Sequence, residues 1–250
     1  MHSKKITITF IGMKYLVVLA GMFWGLIVTA QQFTNLPVNQ YGKATVQTLR
    51  QYRELVKADS SQVLVNLSDA VPHLKISMPY STHQNFTQQV LYPQAAAFLK
   101  KEAAQALKIA AEALAKKGLG ILLYDAYRPF SVTEKMWQIV PSEDYAANPA
   151  NGSGHNRGAA VDVGLYYLHS GETVPMPTLF DNFTDTAHVN FMALPADIVN
   201  NRATLIQAME QAGFKVLPTE WWHFSLPEAA KKYPLHNLSF AQLLRSHKKG

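Results

Sequence analysis

The sequence predicts an α+β domain in which a central antiparallel sheet is flanked by helices. Three observations carry that reading. Several short segments alternate apolar and polar residues with the period of a strand, and turn residues separate them. Two longer stretches, near residues 94–117 and 200–212, repeat their apolar residues with the period of a helix. These segments follow one another without the regular strand–helix–strand rhythm of a parallel sheet. At 250 residues, 48% apolar and 16% charged, the chain suits one large domain with a substantial core, and its composition is not that of a disordered protein.

Residues 1–30 read as a secretory signal. Lys14 precedes an apolar run from Tyr15 to Ala30, and Val28-Thr29-Ala30 offers modest side chains for cleavage. The run falls short of the ~20 apolar residues of a spanning helix, so cleavage after Ala30 and export, to a bacterial periplasm, are expected, with no membrane anchor remaining. Loss of Lys4, Lys5 and Lys14 lowers the formal charge from +6 to +3. That balance is too mild for a nucleic-acid partner, and no basic stripe interleaved with aromatics is present. The sequence has no cysteine, which excludes disulfides and a lipid-modified terminal cysteine.

Residues 31–60 read as an N-terminal arm with a short helix near Val46–Val56, and residues 61–250 as the main domain. Val63–Leu67 and Leu74–Met78 alternate as strands. Tyr80–Thr87 is a polar and aromatic loop of the kind that lines a site. A helix is expected over 94–117, opened by Pro93 and closed by Gly118, with Lys100, Lys101, Lys108 and Lys116 facing solvent. Leu119–Tyr124 is an apolar strand that should end near Arg128, because Pro129 cannot sit within a sheet. A helix from Ser131 to Val140 and a loop over 141–151 follow. Ala159–Leu168 is the next strand, and Ser170-Gly171 a hairpin turn towards Thr173–Met176. Residues 177–199 lack periodicity. The helix Asn200–Ala212 should turn Leu205, Ala208 and Met209 inward. Phe214–Leu217 and Trp221–Leu226 are strand-like, and the polar tail after Pro227 carries no usable motif.

Chemistry concentrates in two places. Ser153-Gly154-His155-Asn156-Arg157-Gly158-Ala159-Ala160-Val161-Asp162 sets an imidazole before a bend and a carboxylate within an apolar strand. Glu220-Trp221-Trp222-His223 adds a second imidazole and a second carboxylate. Two histidines and one aspartate are ligands zinc accepts, with a fourth position left for water. On a strand Asp162 shares a face with Ala160 and Gly164, whose small size leaves room for an ion. A buried Asp162 satisfied by Arg157 or a backbone amide fits the same pattern, as does His223 as an ordinary core histidine. Glu220 and His223 point to opposite faces of a regular strand, so a turn or bulge at Glu220 is needed to bring them together. His188 is the remaining histidine held in reserve.

Taken together, Ser153-x-His155-x-x-Gly158-x-Ala160-x-Asp162 and Glu220-x-x-His223 resemble the zinc D-Ala-D-Ala peptidases. Tyr80, Asn85-Phe86-Thr87, Asp125-x-Tyr127-Arg128-Pro129, Phe180-Asp181-x-Phe183 and Asn201-Arg202 extend the resemblance to the D-alanyl-D-alanine dipeptidase (VanX-type) branch, over residues 62–235. Pro177 in place of a usual glycine and a short segment between Arg128 and His155 depart from it. The resemblance implies a fold of the D-Ala-D-Ala peptidase/hedgehog type, one zinc per chain and hydrolysis of free D-Ala-D-Ala in wall turnover or glycopeptide resistance. It further implies His155, Asp162 and His223 as metal ligands, Glu220 as catalytic base and Arg128 as stabiliser of the transition state. Asp181, Tyr80 and Ser153 are implied to hold the dipeptide's two ends. A D,D-carboxypeptidase with the same zinc core and a non-catalytic zinc-binding module are the alternatives.

Overall fold

The structure is a computed structural model that describes residue 33 and residues 35–247; the expected signal segment lies outside them. The described residues from Leu36 onward form one compact unit. In chain order its strands are β1 (Thr45–Val46), β2 (Leu64–Asn66), β3 (Leu74–Ile76), β4 (Phe98–Lys100), β5 (Leu119–Asp125), β6 (Ala160–Tyr167), β7 (Lys215–Leu217), β8 (Glu220–Ser225) and β9 (Leu235–His236). Its helices are α1 (Leu49–Ala58), α2 (Leu67–Ala70), α3 (Lys101–Ala115), α4 (Phe130–Ile139), α5 (Ala196–Gln211), α6 (Ala229–Lys232) and α7 (Phe240–His247).

A five-stranded sheet in the order β3-β5-β6-β8-β7 forms the centre. Its pairs are antiparallel except β3 with β5 at one edge. Strand β6 is central because its residues suit burial on both faces: the strand is buried from Ala160 to Leu165. Helices α3 and α5 pack on each other, α3 against β5 and α5 against β7 and β8. The mixed α+β architecture with flanking helices is the one expected.

Several boundaries moved for local reasons. The first helix starts at Leu49, where Thr48 caps it: Thr48 Oγ1 accepts from Gln51 N while Gln51 Oε1 accepts from Thr48 N. The long helix starts at Lys101, not after Pro93, because residues 98–100 pair with β2 in a separate two-stranded sheet. That pairing also overturns the solvent placement of Lys100, whose side chain is fully buried. Its ammonium donates to Gln62 O and lies 3.1 Å from His236 Nε2. Burial lowers the pKa of Lys100, and burial and Lys100 lower that of His236. A neutral His236 whose Nδ1–H donates to Pro234 O leaves Nε2 to accept from Lys100. Helix α5 begins earlier than its periodicity indicated, with Asp197 in the first turn where the helix dipole favours an acid. Leu205, Ala208 and Met209 are buried as expected. The hairpin partner of β6 reduces to a single bridge, Tyr166 to Thr173.

The tail is part of the fold. Strand β9 pairs in parallel with β1, Tyr127 Oη donates to Leu238 O and accepts from Leu238 N, and Arg157 donates to Tyr233 O. These contacts depend on position in space and leave no period in the sequence.

Gly158 is the joint between the His155 turn and β6. It has φ +66°, and a Cβ there would lie 2.5 Å from Leu64 Cδ2. Its carbonyl accepts from Lys100 N at 2.7 Å. Gly158→Ala combines a left-handed backbone with a clash, a class of strain worth about 1–3 kcal/mol. Urea denaturation should show that loss as a lower midpoint with an unchanged slope.

Candidate active site

Sheet register assembles the site. A bulge in β5 between Leu123 and Asp125 places Asp125 opposite Asp162, and on the other side Asp162 stands opposite His223. Two strand neighbours of Asp162 therefore carry ionisable groups. His155 arrives from a 3-10 turn, His155–Arg157, just before β6. His155 Nδ1 donates to Ala126 O at 2.7 Å, which aims Nε2 at the carboxylate.

The expected irregularity near Glu220 is present. Val216 pairs with Phe224 but Leu217 pairs with Glu220, so one step along β7 spans four along β8. Glu220, Trp222 and His223 consequently line the same cavity, which a regular strand would not allow. Trp221 faces elsewhere and donates from Nε1 to Thr178 Oγ1.

His155 Nε2 lies 3.2 Å from His223 Nδ1 and 3.4 Å from Asp162 Oδ2, and His223 Nδ1 lies 2.9 Å from Asp162 Oδ1. Ligand atoms ~2.0–2.2 Å from a tetrahedral ion are roughly 3.3–3.6 Å apart. The three side chains thus sit close to ligand spacing already, and together they could hold a metal ion. The small neighbours of Asp162 make room for protein atoms. Gly164 makes way for Tyr124, whose Oη would lie 2.6 Å from an added Cβ, and Ala160 packs against Gly154.

Charges around the cavity are strongly biased. Burial raises the pKa of Asp162, but His155 and His223 outweigh it and hold the carboxyl well below its usual range. Burial likewise opposes the Arg128 cation, yet Asp125 beside it keeps its pKa well above the ordinary value. Arg128 donates to Asp125 Oδ2 from Nε at 2.9 Å and from Nη2 at 2.7 Å, and it lines the cavity. Asp125 Oδ1 accepts from Tyr92 Oη and Ala126 N. Glu220 is raised, first by burial and then by Asp162, against the opposing pull of His223.

Among the non-glycine residues of the cavity, Asp181 alone has a positive φ. Its φ is +61°, unusual for a residue with a side chain. Tyr80 Oη donates to its Oδ1 at 3.0 Å, while Oδ2 is buried without a hydrogen-bond partner. Burial, then the charge of Asp162, push its pKa well up. Burial also raises the Tyr80 phenol, which stays protonated as a donor. Ser153 lines the same cavity and exchanges bonds with Asn156: Ser153 N donates to Asn156 Oδ1, and Ser153 Oγ accepts from Asn156 N.

All eight residues singled out in the sequence line one cavity of about 200 Å³. His188 does not; its carbonyl accepts from Arg202 Nη1. Sequence reasoning missed Asn156, fully buried, whose amide donates to Arg128 O and Thr133 Oγ1 and so locks the His155 turn to α4. It also missed Glu143 and Tyr145, which line the cavity from the 141–151 loop. Only their place in a loop leading to the motif pointed to them.

A family described as D-Ala-D-Ala dipeptidase, within the M15 peptidases, matches residues 60–242. The chain belongs to that family. Among curated members, the D-alanyl-D-alanine dipeptidase of Escherichia coli K12 is 36% identical over 69% of this chain and 88% of its own length. The Enterococcus faecium enzyme of the same name is 31% identical over 67% of this chain and 92% of its own. The LD-carboxypeptidase LdcB aligns at 19% identity and TM-score 0.36 over 54% of this chain and 62% of its own. Family membership covers every residue of the cavity.

Purified protein should carry close to one divalent metal ion per chain by elemental analysis. His155→Ala and His223→Ala should each lower occupancy at least tenfold after dialysis, since each removes one of only three protein ligands.

Proposed function

We propose that the protein is a zinc-dependent D-alanyl-D-alanine dipeptidase that hydrolyses the free dipeptide to two D-alanines. The observation that carries this reading is the buried, unpartnered Asp181 Oδ2 on the wall of the cavity that also holds His155, Asp162 and His223. Burial without a partner makes the Asp181 carboxyl costly to ionise, and a substrate ammonium is the partner that favours its charged form. The cavity of about 200 Å³ lies below the ~300–1,000 Å³ of drug-sized pockets, as suits a very small peptide. The activity named for the Escherichia coli and Enterococcus relatives supports the same substrate.

His155 Nε2, one oxygen of Asp162 and His223 Nδ1 would hold the zinc. When bound, zinc supplies a Lewis acid and a water acidified to a pKa of about 7. Glu220 accepts the proton of the attacking water and delivers it to the leaving amide nitrogen, a task its raised pKa favours. Arg128, held rigid by Asp125, meets the charge that develops on the carbonyl oxygen. Asp181 and Tyr80 take the ammonium end, and the Ser153 hydroxyl donates to the carboxylate end.

Glu220→Ala should retain the metal while activity falls ~10²–10⁴-fold, the usual contribution of a positioned acid–base group. Metal loss in that variant would make Glu220 a ligand and not the base. The deciding experiment compares free D-Ala-D-Ala with its N-acetyl form on the zinc-loaded enzyme. Removing one member of a buried charge pair costs about 2–5 kcal/mol, so the free dipeptide should be cleaved roughly 30-fold to several thousand-fold faster. Asp181→Asn should shrink that preference by slowing the free substrate. An enzyme that prefers blocked or long peptides is a D,D-carboxypeptidase.

A further inference from the structure

Loss of the ammonium charge at Asp181 penalises a longer peptide but does not exclude it. A longer peptide presents an amide N–H at the same carboxylate and can still donate to it. Something must stop the chain beyond that point. On the same loop, two residues after Asp181, stands Phe183. Its ring meets Trp222 edge-on at 6.1 Å and Phe86 at 5.7 Å, and Phe86 in turn meets Tyr80, the partner of Asp181. Phe183 is therefore a fixed part of the wall at the ammonium end.

The 141–151 loop brings Tyr145 against Phe183. The two rings meet at 5.0 Å between centroids and 63° between planes. Both line the cavity. The loop is seated at both ends. Val140 N closes α4 on Met136 O, and Gly152, at φ +67°, abuts Leu235 where a Cβ would lie 2.6 Å from Cδ2. Between these ends Ala146 is buried, whereas Tyr145 keeps 46% of its surface exposed. Tyr145 thus lines the cavity from an anchored loop, its backbone N–H donating to Ser142 O and its ring resting against Phe183.

Building on the dipeptidase reading, we propose that the Tyr145–Phe183 contact is the length gauge of this enzyme, closing the pocket beyond the amino group so that a third residue has no path outward. Tyr145 acts here as a specificity-determining residue through its ring; its hydroxyl is not required.

The test measures kcat/KM of the full-length, zinc-loaded enzyme on D-Ala-D-Ala and on Gly-D-Ala-D-Ala, which keeps a free ammonium but moves it one residue out. The readout is the ratio of the terminal D-Ala-D-Ala bond cleaved in the tripeptide to that in the dipeptide. Tyr145→Ala should raise the ratio at least ~10-fold, the scale on which pocket sterics discriminate. Tyr145→Phe should leave it near the wild-type value. Phe183→Leu, which keeps an apolar side chain against Trp222 and guards against misfolding, should raise it as well. An unchanged ratio in both Tyr145→Ala and Phe183→Leu overturns the gauge while leaving the dipeptidase reading intact. A wild-type enzyme that leaves D-Ala-D-Ala uncut, or cleaves the tripeptide faster, sinks the dipeptidase reading itself.

Discussion

Asp162 is a carboxylate held in the buried middle strand of the sheet, and the rest of the site follows from keeping its charge there. An ion taken out of water costs several kcal/mol unless close partners replace the lost solvation. Here the partners are His223 on one neighbouring strand and His155 from the turn that precedes β6. The other neighbouring strand contributes Asp125, a second carboxylate, which is satisfied by Arg128, Tyr92 and a backbone amide. Two buried acids in register thus face opposite tasks. One is fully occupied and fixes a guanidinium, while the other shares its oxygens with imidazoles placed at ligand spacing.

A second tier of contacts makes those positions rigid. Ala126 O fixes the tautomer of His155, and Arg128 N donates to His155 O at 3.1 Å. Asn156 then ties the same turn to Arg128 and to Thr133 on α4. The imidazole and the guanidinium are consequently set by one connected network, so that moving either perturbs the other. Geometry of this kind, built on strands and backed by buried hydrogen bonds, is what a preorganised polar site requires.

The sequence exposed the reactive groups better than it exposed their setting. A lone aspartate in Ala160–Leu165 is legible because burial makes an unpartnered acid untenable. The opposite facing of Glu220 and His223 on a regular strand called for a turn or bulge, and that irregularity is present where β8 pairs with β7. The α+β class was legible from periodicity for the same reason: alternation and helical repeats are local. What escaped is set by contacts between distant segments. Lys100 looked like a solvent-facing helix lysine, yet strand pairing with β2 turns it inward onto His236. Tyr145 sits in a loop without period, and only the fold brings its ring against Phe183 on the cavity wall.

The last twenty described residues bear on how the protein comes into being. Glu220 and His223 are synthesised before Tyr233, Leu235 and Leu238, yet those later residues seat Arg157, Gly152 and Tyr127 beneath the His155 turn. Strand β1, near the start of the compact unit, waits for β9 in the same way. A chain emerging from the ribosome one residue at a time therefore possesses every reactive group before it can arrange them. Folding cannot be finished from the front, because the turn that carries His155 is backed by residues made after Glu220 and His223.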